Sequence, residues 1–133
     1  MSTPSIRIAT IEIPVRVLDR ASTWYEKALG LTIEWSDEHH AMLVSADKHG
    51  PRLLLVETDD GARLAFTSSH TSIAHSVIDV EVDDLEALHA KLTSLGQPVD
   101  ELGPPKNDWA PKGFGFSDTE GNRLGAYQYR AEP

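Results

Sequence analysis

The chain has 133 residues, 40% hydrophobic and 25% charged, enough to bury one core without disulfide or metal staples. Its formal net charge is −9 and its Lys and Arg residues are scattered singly, so a polyanion would be repelled and nucleic-acid binding is not expected. The absence of Cys excludes disulfides and thiolate metal ligands and fits a cytoplasmic protein, and no apolar run is long enough to cross a bilayer.

In chain order, Met1-Ser2-Thr3-Pro4-Ser5 lacks a basic segment followed by an apolar block, so no signal peptide is expected. Ile11, Ile13 and Val15 alternate with Thr10, Glu12 and Pro14, the period of a half-buried strand. Asp19 is expected to cap the helix that follows, which runs from Arg20 to Leu29 with Ala21, Trp24, Tyr25 and Ala28 at helical spacing. Gly30 stands where a helix takes a left-handed terminating residue. Three β-like runs follow, Leu31 to Trp35, Ala41 to Ser45 and Arg52 to Glu57, separated by polar turns.

The second half repeats this order. Ile78, Val80 and Val82 alternate along a strand, and Asp83 and Asp84 offer an N-cap. Leu85, Leu88, Leu92 and Leu95 mark one side of a helix, which Gly96 ends. Less regular strand-like runs lie near Gln97-Pro98-Val99, Gly113 to Ser117 and Arg123 to Tyr129, with the turn Asp118-Thr119-Glu120-Gly121-Asn122 between the last two. The expected architecture is α+β: one domain over residues 1–133, with a βαβββ module over about 6–60, a linker over about 61–75 and a second module over about 76–130. Leu64-Ala65-Phe66 in the linker reads as an extra strand.

Three motifs inside this duplication carry a resemblance. The run Ile13 to Ala21 followed by Trp24-Tyr25-Glu26-Lys27-Ala28-Leu29-Gly30-Leu31 is similar to the opening of a glyoxalase/bleomycin-resistance/dioxygenase domain, as is Ile78 to Leu85 through Leu95-Gly96. Phe116-Ser117-Asp118-Thr119-Glu120-Gly121-Asn122 resembles that superfamily's F-x-D-P-[DE]-G-N turn, with Thr119 where Pro is usual. The resemblance covers nearly the whole chain. It implies paired βαβββ modules curled into an open cup, a homodimer, and in the enzymes one divalent metal held by His and Glu from the first and last strand of each module.

Carried over position by position, the resemblance puts the four metal ligands at Thr10, Leu54, Val77 and Gly125. None of these is a good ligand for a divalent ion, so no metal or other cofactor is expected. The six histidines do not replace the site. His39-His40 and His49 fall in or beside turns, His70 and His75 in the linker, and His89 on the second helix facing solvent.

Strand alternation nominates the residues that line the cup: Thr10, Glu12, Leu54 and Val56 from the first module, and Val77, Asp79, Glu81, Gly125, Tyr127 and Tyr129 from the second. Trp35, and Trp109 in a Pro/Gly-rich loop, are further contact candidates. Carboxylates, phenols and apolar side chains together suit an amphipathic or cationic small molecule; the same carboxylates also read as solvated positions that confer solubility. No phosphate-cradling glycine loop and no G-x-S-x-G elbow is present. The leading expectation is a metal-independent binding protein like the drug-binding members of the superfamily, with no membrane or nucleic-acid partner. An enzyme with an atypical or absent metal site, using Glu12, Asp79 or Glu81 as acid or base, and a structural or regulatory module are the alternatives. No catalytic residue is assigned.

Overall fold

The computed structural model describes residues 3–103 and 112–128, so Trp109 and Tyr129 lie outside the described residues. The chain forms two compact units, Met1–Gly61 and Ala62–Pro133.

The first unit is a βαβββ module: β1 (Thr10–Val15), α1 (Leu18–Leu29), β2 (Thr32–Ser36), β3 (His40–Val44) and β4 (Arg52–Glu57). The sheet order is β1-β4-β3-β2, with β1 and β4 parallel and the other neighbours antiparallel. The parallel pair requires a long crossover, which α1, β2 and β3 supply. Alternation assigns the faces. Ile13, Val15, Ala41, Leu43, Leu53 and Leu55 are buried, and so are Leu18, Ala21, Trp24, Tyr25 and Ala28 on α1, which packs on β2, β3 and β4. Trp24 and Tyr25 meet edge to face with ring centroids 4.9 Å apart.

The expectation for the start of α1 is corrected. The N-cap is Val17, which makes no side-chain cap, and Asp19 lies inside the first turn. A carboxylate still satisfies the helix start, but it comes from the end of β4, beside Val15 at the end of β1: Glu57 Oε2 accepts the Leu18 N–H at 3.0 Å. Asp19 nevertheless favours the positive end of the helix dipole. Gly30 ends the helix at φ 67°, as its spacing predicts.

The second unit opens with a short hairpin, β5 (Phe66–Thr67) and β6 (Ala74–His75), so the extra strand expected at Leu64-Ala65-Phe66 begins only at Phe66. Then come β7 (Ile78–Glu81), α2 (Leu85–Ser94), β8 (Lys112–Ser117) and β9 (Arg123–Gln128), with sheet order β7-β9-β8 and β7 parallel to β9. The strand expected near Gln97-Pro98-Val99 shrinks to a single bridge from Val99 to Phe116. Pro98 has no N–H to give to a ladder, which is one reason that strand does not extend.

Asp84 caps α2 by accepting from the Ala87 N–H at 3.0 Å. Of the leucine stripe, Leu85 and Leu92 are buried, but Leu88 is half-buried and Leu95 is 39% exposed. His89 does not simply face solvent as expected. Its Nε2 lies 2.9 Å from the Asp100 carbonyl and its ring meets Phe114 edge-on at 4.9 Å, because the segment after α2 returns beside the helix.

The Asp118 to Asn122 turn is a buried clamp. Asp118 accepts from the Glu120 and Asn122 N–H groups and from Asn122 Nδ2, and Asn122 Oδ1 accepts the Leu64 N–H at 2.8 Å. The turn thereby ties the start of the second unit to its last hairpin.

Candidate functional site

In the first unit the face opposite α1 carries the residues out of phase with the core. Pairing registers run Glu12 opposite Leu54, Leu54 opposite Met42, and Met42 opposite Trp35. This is one row across all four strands. Trp35 reaches it because the register shifts between Ile33 and Trp35, the position of a β-bulge. Leu54 and Met42 are half-buried, Trp35 is 45% exposed and Glu12 is exposed. The next row is Pro14, Val56 and His40. Thr10 and Arg52 form a row on the other side of Glu12 and Leu54.

Two side chains on this face are positioned by carboxylates. Arg52 donates to both oxygens of Glu34, at 2.7 and 2.8 Å, in a bidentate pair. The Arg52 hydrogen bond holds the Glu34 carboxyl below its ordinary range. The His40 ring lies with Nδ1 2.9 Å from Asp37 Oδ1, which also accepts the His39 and His40 backbone N–H groups. An imidazole held at Nδ1 turns Nε2 outward as a hydrogen-bonding or proton-accepting atom.

Sequence reasoning missed Met42, His40 and Arg52. The apolar run Ala41 to Val44 hides its own alternation, and the available signal was that Met42 shares the parity of its partner Leu54. His40 and His39 take different carboxylate partners, Asp37 and Glu57. His39 pairs with Glu57 at 3.1 Å, which raises the His39 ring above its ordinary value, while the Leu18 N–H and then His39 hold Glu57 below its own.

In the second unit the corresponding row is Asp79, Gly125 and Gly115 on β7, β9 and β8, followed by Glu81, Tyr127 and Gly113. The glycines are where polar side chains lie flat on the sheet. The Asp79 Oδ1 occupies the space a Cβ at Gly125 would fill, with Ser76 Oγ 3.0 Å from the same point. Over Gly115 lie the Arg123 guanidinium and Asp100, which form an ion pair. Partial burial pushes the Asp79 carboxyl above the ordinary Asp range, and nearby His75 pulls the other way. Val77 precedes β7 and is 49% exposed.

The four positions that the superfamily resemblance makes metal ligands occur as matched pairs. Leu18 with Glu57 corresponds to Leu85 with Gln128, which accepts the Leu85 N–H at 2.9 Å. Counting back from those anchors sets Thr10 against Val77 and Leu54 against Gly125. Only the Thr10 hydroxyl offers a side-chain oxygen, and the space at Gly125 is taken by Asp79. Among the described residues no group of three or more His, Asp or Glu side chains is placed to hold a metal ion. The residues present at these positions therefore do not fit one.

No helix among the described residues is long and apolar enough to cross a membrane. The chain resembles solved structures over nearly its whole length. An antibiotic binding protein, TnmS3, from Streptomyces sp. CB03234 matches with TM-score 0.72 and 20% identity, over 97% of this chain and 100% of that one. The genomically encoded fosfomycin resistance protein FosX from Listeria monocytogenes, complexed with Mn(II) and sulfate, matches with TM-score 0.70 and 13% identity, over 99% and 94%. A glyoxalase/bleomycin resistance protein from Streptomyces sp. CB03234 matches with TM-score 0.64 and 22% identity, over 91% and 99%. No curated protein matches the sequence. These identities speak for the fold alone. Residues 7–125 match the Glyoxalase/Bleomycin resistance protein/Dioxygenase superfamily, and the chain belongs to that superfamily.

Proposed function

We propose that the protein binds a small organic molecule with an apolar or aromatic body and a positive charge, and does so without a metal. One observation carries this reading: the row Glu12, Leu54, Met42 and Trp35, in which a carboxylate ends a stripe of half-buried and exposed apolar side chains. An exposed indole beside a thioether gives a stacking surface, and the carboxylate gives a counter-charge. Thr10 and Val56 flank the row on the same face, and Val77, Asp79, Glu81, Gly125 and Tyr127 belong to the matching face of the second unit. The likeness in fold to an antibiotic binding protein is in keeping with a binding role. In this reading the protein works in the cytoplasm as a homodimer, and light scattering of the eluting protein tests the dimer.

The binding test is titration of the protein with a panel of planar organic cations, followed by tryptophan fluorescence. Quenching by a subset of the panel, removed in Trp35→Phe, is the expected result. No quenching and no heat of binding across the panel would sink the reading.

A second reading, metal-free acid–base chemistry, is favoured by His40, whose ring is held by Asp37 and whose Nε2 is turned away from that contact. Its test is the pH profile of any turnover found in a hydrolase, isomerase and lyase screen, and whether His40→Gln abolishes it.

A further inference from the structure

The open face of the first sheet carries an ion pair that crosses a strand. Arg52 stands on β4 and Glu34 on β2, and β3 lies between them. Arg52 pairs with Thr10 and shares the parity of Leu54, so it is on the face away from α1. Its guanidinium reaches Glu34 only by passing over β3. Nε and one terminal nitrogen donate to the two carboxylate oxygens at 2.7 and 2.8 Å, a side-by-side arrangement that holds both groups in one plane. Glu34 comes within range because it stands at the register shift between Ile33 and Trp35. Val44 on β3 opposes Thr32, follows Met42 on the same face, and is 2% exposed, so the strand is covered where the pair crosses it. The side chains of Arg52 and Glu34 are themselves 37% and 34% exposed. The plate they form therefore lies against the strand and keeps an outer surface in solvent.

The second unit repeats this device at the matching position. Counting back from Glu57 and Gln128 sets Arg52 against Arg123, each the first residue of its strand. Arg123 crosses β8 above Gly115 to reach Asp100, whose own N–H bonds the Gly115 carbonyl at 2.8 Å. Solvent-exposed ion pairs contribute little stability, so the repeat is better accounted for by what the open faces do.

A guanidinium stacks on aromatic rings through its planar face. An unpaired one would repel the cation that Glu12 attracts. Glu34 removes that conflict, because it balances the charge along the edge of the guanidinium and leaves the face open. Trp35 follows Glu34 in the chain and opposes Met42, so the indole borders the plate on the same face.

We infer that the Arg52–Glu34 pair is a second stacking surface beside Trp35, and that it selects ligands whose cationic body is flat and wider than one ring. This rests on the small-molecule reading above and names the class of ligand that the first unit would take.

The probes are N-methylquinolinium, a flat fused-ring cation, and N,N-dimethyldecahydroquinolinium, which has the same charge and skeleton but no aromatic plane. Each is titrated into the full-length protein and followed by tryptophan fluorescence and by the Arg52 Nε–H resonance. The expected result is that the flat cation quenches Trp35, moves the Arg52 Nε–H signal upfield through its ring current, and binds about fivefold more tightly than the saturated one. Arg52→Lys keeps the charge but not the plane; it removes that advantage and leaves the saturated cation's affinity unchanged. Glu34→Gln leaves the guanidinium charge unbalanced and weakens the flat cation, most of all at low salt. Quenching of Trp35 with no movement of the Arg52 signal, or equal affinity of wild type and Arg52→Lys for the flat cation, overturns the inference while leaving the binding reading intact. No quenching by N-methylquinolinium or any other planar cation overturns both.

Discussion

Glu57 Oε2 accepts the backbone N–H of Leu18, the first residue of α1, at 3.0 Å. Gln128 Oε1 does the same for Leu85 at the start of α2, at 2.9 Å. In both modules, then, the last strand ends in a side chain that captures a free N–H of the crossover helix. A helix start leaves such N–H groups unpaired, and a donor beside a packed sheet is expensive to abandon. Gln128→Ala should cost about 1 kcal/mol, the usual range for loss of a helix-start acceptor, with Gln128→Glu close to wild type at neutral pH. Urea denaturation of the two variants is the check. Equal stability of Gln128→Ala and wild type would mean the contact contributes nothing.

The first-unit version of this contact is sensitive to pH at both ends. Glu57 is held below its ordinary value of 4.5, so its contribution is present above that value and is lost as pH falls through its lower folded value. His39 is held above its ordinary value of 6.5, so its contribution is present below 6.5 and is lost as pH rises through its higher folded value. The pair is complete between these limits. The urea midpoint of the wild type should therefore decline on the alkaline side in a way that His39→Ala does not. Identical alkaline profiles for the two proteins would rule the linkage out.

Asn122 is 1% exposed and links Asp118 to the Leu64 N–H. Asn122→Ala leaves the Leu64 donor and the Asp118 carboxylate short of partners, at about 2 to 3 kcal/mol. Amide hydrogen exchange gives a sharper reading than global stability: the Leu64 N–H should exchange faster in the variant. Unchanged protection at Leu64 would contradict the clamp.

The two faces of the first sheet should respond differently to truncation. Leu55 is fully buried under α1, and Leu55→Ala should cost about 2 to 5 kcal/mol. Met42 is half-buried on the other face. Met42→Ala should cost under about 1 kcal/mol while weakening any planar cation that quenches Trp35. If Met42→Ala unfolds the protein, that face belongs to the core rather than to a ligand.

Elemental analysis after incubation with Mn(II), Ni(II) and Zn(II) should find less than one tightly held ion per chain. A stoichiometric ion would require ligands other than Thr10, Leu54, Val77 and Gly125.

Strand parity, the helix spacing, Gly30 and the repeated order of elements were legible because each follows from a local period or a single backbone preference. The alternation of Ile11, Ile13 and Val15 sorts β1 into two faces with no knowledge of its neighbours. Asp19 misled because a carboxylate near a helix start looks the same whether it caps or only sits in the first turn. The residue that replaces it, Glu57, is remote in sequence. His89 misled for a similar reason: its partner, the Asp100 carbonyl, reaches it only once the chain after α2 has turned back.

Residue type and short-range period were enough to mark out the first βαβββ module, both helices, the turns and the residue types at the four positions where the superfamily holds its metal; among the described residues the second sheet has three strands, with Val99 adding only a bridge. Which side chains act together depends instead on contacts between strands remote in the chain. Glu57 meets Leu18, Met42 joins the Glu12–Trp35 row and Asp79 lies on Gly125 because sheet register, not chain distance, sets those neighbours. A one-residue change of register would send every one of these side chains to the opposite face.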